Sequence, residues 1–293
     1  MSEHYRLFRL SNTRELLGKR THKKNTEKAF LMGGISYYLD KTEWEHLAKK
    51  ESLVIDDDRP NLRSLPLLRD ISRGAMEELS GTEQEIDDIV SQLSRHHISH
   101  LSLKGGDASE GAFKCLDGAD YSILHVATHG FYHQQKIDSH ADTFNDEEYI
   151  NMERSGLLLA GAFSTLHGEQ RPDDVDDGIL TAAEISRLDL TKAEMVVLSA
   201  CETALGDITG EGVFGLQRGF KKAGANSILM SLWKVDDEAT CLLMTEFYRN
   251  WIGEKMTKHD ALEEAKKTVR SHKEKGWDDP KYWAAFILLD ALD

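Results

Sequence analysis

The stretch Met195–Glu202, MVVLSACE, decides the fold. Met195, Val196, Val197 and Leu198 are apolar on both faces of any strand they form, which suits a strand buried in a parallel sheet. Ser199 and Ala200 are small and allow close approach, and Cys201 falls where the strand stops. In open α/β sheets, chemistry collects at the carboxyl ends of strands, where the loops splay apart. A second apolar run, Tyr121–Ala127 (YSILHVA), leads into Thr128, His129 and Gly130. If these two strands are neighbours, a histidine and a cysteine meet on one rim. An imidazole beside a thiol favours the thiolate, the reactive form of a group whose free pKa is about 8.5.

Outward from that run, Ala29–Met32 with Gly33 and Gly34 reads as the first core strand. Ile98–Leu103, Gly156–Ala160, Ser227–Leu232 and Tyr282–Leu289 read as further strands. Helical periodicity falls at Leu79–Leu93, Asp107–Leu116, Thr181–Leu188, Val213–Ala223, Asp236–Trp251 and His259–Val269. Ser80 or Thr82 is the expected cap of the first, with Glu83 and Glu85 suiting its positive end, and Asp107 or Ser109 caps the second. Thr181 with Glu184 has capping-box spacing. The alternation predicts one α/β domain: a mostly parallel sheet of about six strands with helices on both faces. Residues 1–28 read as an N-terminal strand and linker segment, with an edge strand and short helix over Tyr5–Leu17, and 29–293 as the domain itself. Asp40–Leu65, His133–Arg154 and Phe163–Gly178 read as polar excursions, the second hanging over the rim that carries His129.

Bulk properties narrow the function classes. The chain has 293 residues, 40% of them hydrophobic, enough for a real core. Its 36 Lys and Arg against 51 Asp and Glu give a formal charge of −15, which disfavours direct nucleic-acid binding. Three cysteines, Cys115, Cys201 and Cys241, make no disulfide framework and imply a reducing, cytoplasmic setting. No signal peptide is evident, and no apolar run approaches the roughly 20 residues that cross a bilayer.

Six motifs, in order, carry a resemblance: ILHVATHG (123–130), SGLLLAG (155–161), DGILTAAEI (177–185), VVLSACETALGD (196–207), GEGVFGLQRGFKKAGANSILMSLWKVDDEAT (210–240) and PKYWAAFILLD (280–290). GTEQEIDDI (81–89) and FRLSNTREL (8–16) fit more loosely. On these, the chain resembles the CHAT family of caspase-like cysteine peptidases, relatives of separase and caspases that often follow tetratricopeptide repeats. The resemblance implies a caspase-like three-layer sandwich, with His129 as general base and Cys201 as nucleophile. It also implies backbone N–H groups of Gly130 and Cys201 at the oxyanion. The nucleophile sits in S-A-C-E-T rather than Q-A-C-x-G, so cleavage after aspartate does not carry over. Tetratricopeptide helices are missing from the chain, which points to a module of, or partner to, a larger regulator. The implied setting is bacterial signalling, defence or regulated cell death, with a protein substrate and no cofactor; a non-catalytic scaffold is the alternative. Glu202 either contacts substrate or lies in solvent, and Asp138 and Asp207 are the acidic candidates for the substrate pocket.

Other patterns have plainer readings. His125, on a buried strand, reads as a hydrogen-bonded core residue, and Thr128 and Ser199 as shaping the site or packing. Cys115 and Cys241 fall in predicted helices and read as structural. Gly210-x-Gly212-x-x-Gly215 matches a dinucleotide pattern but does not directly follow a strand, and Glu211 would oppose a pyrophosphate. Asp173, Asp177, Gly178 and Glu184 fall at EF-hand-like offsets with Val175 at a ligand position. His96, His97 and His100 read as a solvated helix end.

Overall fold

Val196 and Leu198 face one side of the central sheet and Met195 and Val197 the other, and all four are buried. A strand apolar on both faces demands cover on both, and the architecture supplies it. The computed structural model describes residues 8–11, 28–51, 79–132, 152–199 and 210–290. Its main sheet has six strands in the order β2-β1-β3-β7-β8-β9. These are β1 (Lys28–Ile35), β2 (Ser99–Gly105), β3 (Ile123–Val126), β7 (Met195–Leu198), β8 (Ser227–Ser231) and β9 (Phe286–Leu289). All neighbours are parallel except β8 and β9. The expected six-stranded, mostly parallel sheet with helices on both faces is what forms.

On one face lie α2 (Ser80–Arg95), α7 (Asp237–Tyr248) and α8 (Lys258–Ser271). Their residues Ile86, Ile89, Leu93, Leu243, Phe247 and Ala265 pack against Leu31, Ile123, Val197 and Leu229 of the sheet. The opposite face holds α3 (Glu110–Lys114), α6 (Gly210–Lys222) and a second sheet. That sheet is antiparallel, β4 (Gly130–Tyr132), β5 (Ser155–Leu158) and β6 (Ile179–Thr181), and the sequence did not announce it. Gly156–Ala160 was expected as a strand, and β5 is one, but it belongs to this small sheet. Each of its strands is only three or four residues long, too short for a period to show.

Two expected excursions are partly helical. Asp40–Leu65 begins with α1 (Lys41–Glu51), which buries Trp44 and Leu47; apolar residues three apart on one face suffice to dock a charged helix. Trp44 lies where a Cβ on Gly161 (φ +81°) would sit, 2.3 Å from its ring edge, so the glycine makes room for the helix. Within Phe163–Gly178, α4 (Ala162–Leu166) forms and buries Phe163. The helix expected over Thr181–Leu188 is the short α5 (Ala182–Ile185), and its capping box is present: Glu184 N–H donates to Thr181 Oγ1 and Thr181 N–H to Glu184 Oε2. Ser109 caps α3. Neither Ser80 nor Thr82 caps α2; Thr82 Oγ1 instead donates to Leu79 O and accepts from Gly34 N–H. Glu85 is also not a helix-end charge, being buried beside His125.

Residues beside β9 close that edge of the sheet. Arg9 forms a parallel bridge with Leu289, Asp290 N–H donates to Arg9 O (3.0 Å), and Ser11 N–H donates to Asp290 Oδ1 (2.8 Å). Asp290 Oδ2 pairs with Lys221 of α6 at 3.0 Å. The rest of the stretch expected to form an edge strand and helix, and most of His133–Arg154, lie outside the described residues.

One half-buried lysine ties the small sheet to α3. Lys114 Nζ sits 2.7 Å from Glu110, 3.1 Å from Asp176 and 3.2 Å from Glu184. Glu110 also accepts from Gly178 N–H (2.9 Å). Burial works against the Lys114 charge, but Glu110, Glu184 and Asp176 outweigh it and hold the ammonium above its ordinary range. Burial and the neighbouring Asp177 push the Glu110 carboxyl well up. A base held above its unfolded pKa stabilises the fold below that pKa for as long as its carboxylate partners stay ionised. Lys114→Met should therefore cost about 3 kcal/mol near neutrality, by stranding buried carboxylates. The deficit should shrink as pH falls into the carboxylate range, Glu110 protonating early; urea unfolding at pH 7 and pH 5 reads both. Gly156→Ala offers a second check, because its Cβ would lie 2.3 Å from Leu180 O and 2.6 Å from the Phe131 ring. It should lose roughly 1–3 kcal/mol in the same assay.

Candidate active site

The carboxyl ends of β1, β3, β7 and β8 share one rim because these strands run parallel. Along β3, Leu124 and Val126 pack into one core while Ile123 and His125 face the other. Continued alternation would send His129 to the His125 side. A bend at Thr128 breaks the pattern, and the chain leaves the main sheet to begin β4. The His129 ring instead lies 5.0 Å from the Tyr37 ring and 6.2 Å from the Phe163 ring, centroid to centroid. Its side chain is fully buried.

The backbone around His129 is held by hydrogen bonds of a particular order. Leu158 N–H donates to His129 O at 2.9 Å. His129 N–H donates to the Tyr37 hydroxyl at 3.3 Å. Tyr37 Oη and Thr128 Oγ1 are 3.0 Å apart, and Thr128 Oγ1 donates to Leu158 O. Tyr37 and Thr128 are both buried. Gly130 lies opposite Leu157, one step from the hydrogen-bonded position at 129 and 158. Antiparallel positions alternate, so the Gly130 N–H points away from β5.

His125 is no part of this rim. Its Nε2 lies 2.8 Å from Glu85 Oε1 and its Nδ1 3.3 Å from Tyr248 Oη, the hydrogen-bonded core histidine that a buried strand suggests. Burial, then the Glu85 charge, raises the Tyr248 phenol well above its ordinary range. Burial, then Glu85 and Asp88, pushes the Cys241 thiol up to about 11, which fits the structural role expected of it. Cys115 departs from expectation: it is exposed at the C-cap of α3 rather than buried within a helix.

Of the other expected site residues, Cys201, Glu202, Asp207 and Asp138 lie outside the described residues. Ser199, the last described residue of the cysteine run, is fully buried, and its N–H donates to Val126 O at 3.0 Å. Gly210 begins α6, so the glycines of the dinucleotide-like pattern fall inside a helix. Glu184 spends its carboxylate on Thr181 and Lys114, and Asp177 accepts from Ile179 N–H (2.9 Å), which accounts for the EF-hand-like offsets without a cation. His96 and His97 are exposed at the end of α2. No motif or spacing announces Tyr37 and Phe163 beside His129. Their one cue was position: Tyr37 follows a core strand that ends at the same rim.

Comparisons with known proteins agree with the motifs. Residues 1–291 match the sequence model of the CHAT domain. Tetratricopeptide repeat protein 28 of Homo sapiens is 33% identical over 129 residues, 40% of this chain and 5% of that protein. Its Mus musculus counterpart is 35% identical over 111 residues, 38% of this chain and 4% of that protein. The chain thus spans about a twentieth of the length of these curated relatives. Among the described residues, no helix is long and apolar enough to cross a membrane.

The thiol environments make a direct prediction. At pH 7 an iodoacetamide label should enter Cys115 readily and Cys241 hardly at all, since a thiol near pKa 11 holds almost no thiolate. Peptide mapping by mass spectrometry reads the ratio. With this fold and a match over residues 1–291, the chain belongs to the CHAT domain family, whose fold is caspase-like.

Proposed function

We propose that the chain is a cysteine endopeptidase in which His129 and Cys201 act as a dyad on a protein substrate. One observation carries the reading. β3 and β7 are adjacent and parallel with Val126 opposite Leu198. His129 follows Val126 by three residues, and Cys201 follows Leu198 by three. Three residues of chain reach at most about 10 Å, so each of the two is tied within that chain length to the end of one of two neighbouring strands.

The chemistry is acyl transfer. His129 takes the Cys201 thiol proton, and the thiolate attacks a peptide carbonyl carbon. The resulting oxyanion is met by backbone N–H groups of Gly130 and Cys201, each donor worth roughly 3 kcal/mol in such a site. The imidazolium then protonates the departing amine, leaving a thioester. Water, deprotonated by His129, hydrolyses that thioester and restores the thiol. The outward-pointing Gly130 amide supports the oxyanion role. Glu202, Asp138 and Asp207 are proposed contacts to substrate.

Regulation is part of the proposal. The His129 side chain has no exposed surface, so the nitrogen of a substrate peptide bond reaches it only after a movement that a partner can drive. The relatives' names as tetratricopeptide repeat proteins support a regulator of that kind, in the same chain or beside it. A peptide-library screen tests the reading. Wild type should cleave a subset of peptides, Cys201→Ala none, and His129→Ala roughly 10²–10⁴-fold more slowly. Cleavage that survives both substitutions would instead favour a scaffold carrying a contaminating activity.

A further inference from the structure

We infer that Tyr37 is a positioning residue for His129, acting through a two-hydroxyl relay that replaces one rung of the β4–β5 ladder. The inference rests on the peptidase reading of His129.

Residues 129 and 158 face each other in the antiparallel register, and Leu158 N–H donates to His129 O at 2.9 Å. A regular pair at this position exchanges two bonds, so His129 N–H would return to Leu158 O. It does not. His129 N–H donates to Tyr37 Oη (3.3 Å), and Leu158 O accepts from Thr128 Oγ1 instead. The direction of the relay follows from proton counting. A carbonyl only accepts, so the single Thr128 hydroxyl proton goes to Leu158 O. Tyr37 must then donate across the 3.0 Å gap to Thr128 Oγ1, while its own oxygen accepts the His129 amide. The donors run His129 N–H, Tyr37 O–H, Thr128 O–H, and the relay ends on Leu158 C=O as acceptor.

Two hydroxyls inserted between amide and carbonyl hold the N–H side of His129 away from β5. The C=O side stays tied at 2.9 Å. That asymmetry turns the residue out of the ladder plane, and the same Tyr37 supplies the ring 5.0 Å from the imidazole. Tyr37 is itself stacked on Phe163 at 4.9 Å, so the hydroxyl is presented by a braced side chain. Without the hydroxyl, the His129 amide either stays buried and unpaired or falls back onto Leu158 O. In the second case the imidazole swings back with it. A misplacement of about 1 Å costs a catalytic group roughly 10²-fold.

Tyr37→Phe keeps the ring and removes the relay at one end, and Thr128→Val removes it at the other. Imidazole NMR chemical shifts of His129 in the full chain, assigned against His129→Ala, together with Cys201 alkylation, are the readouts that a role in packing alone would not move. Both variants should shift the His129 imidazole resonances. The alkylation rate of Cys201 at pH 7 should fall roughly 10–100-fold in each. Wild-type His129 resonances and a wild-type alkylation rate in either folded variant overturn the relay. Failure of the peptidase reading shows differently, as Cys201 alkylation unchanged by His129→Ala itself.

Discussion

The parallel pairing of β3 with β7 is the constraint on which the rest depends. It sets Val126 against Leu198, and everything proposed for the rim is counted from that register. Parallel strands need crossovers, and crossovers put cover on both faces of the sheet. The apolar residues of β3 and β7 are consequently shared between two cores, with Leu124, Val126, Val196 and Leu198 in one and Ile123, Met195 and Val197 in the other. A one-residue slip would exchange the two sets and carry a buried histidine, His125, from its Glu85 and Tyr248 partners into an apolar core. The His125 cluster therefore acts as a register pin. Stranding a buried polar side chain away from its hydrogen-bond partners costs more than misfitting a leucine.

The main sheet was legible because its inner strands β3, β7 and β8 are buried, mostly apolar runs flanked by helices with clear periodicity or caps. Ser109 and Thr181 cap as their positions suggest. The second sheet was not legible, and neither was α1. Strands of three or four residues carry no readable alternation, and α1 shows only Trp44 and Leu47 buried among charges. Long-range packing decides both, through close approaches at Gly156 and Gly161 that composition does not announce.

At the rim, the sequence pointed to His129 through its place after a buried strand, and the ring sits at that strand's exit. Its immediate surroundings were invisible. Tyr37 arrives from β1 and Phe163 from α4, elements distant in the chain, and Thr128 reads equally as shaping the site or as packing. Their roles depend on a hydroxyl geometry that no spacing encodes. The acidic candidates and Cys201 itself are known only from the chain, so the register of β3 and β7 carries the argument for the dyad.

The pH dependence of Cys201 alkylation, followed in a Cys115→Ser chain with and without His129, tests that argument most directly. A dyad predicts a rate that stays high well below pH 8.5, the ordinary thiol range, and a profile that moves up into that range in His129→Ala. Superimposable profiles in the two proteins would contradict it, and would leave the fold without the chemistry assigned to its rim.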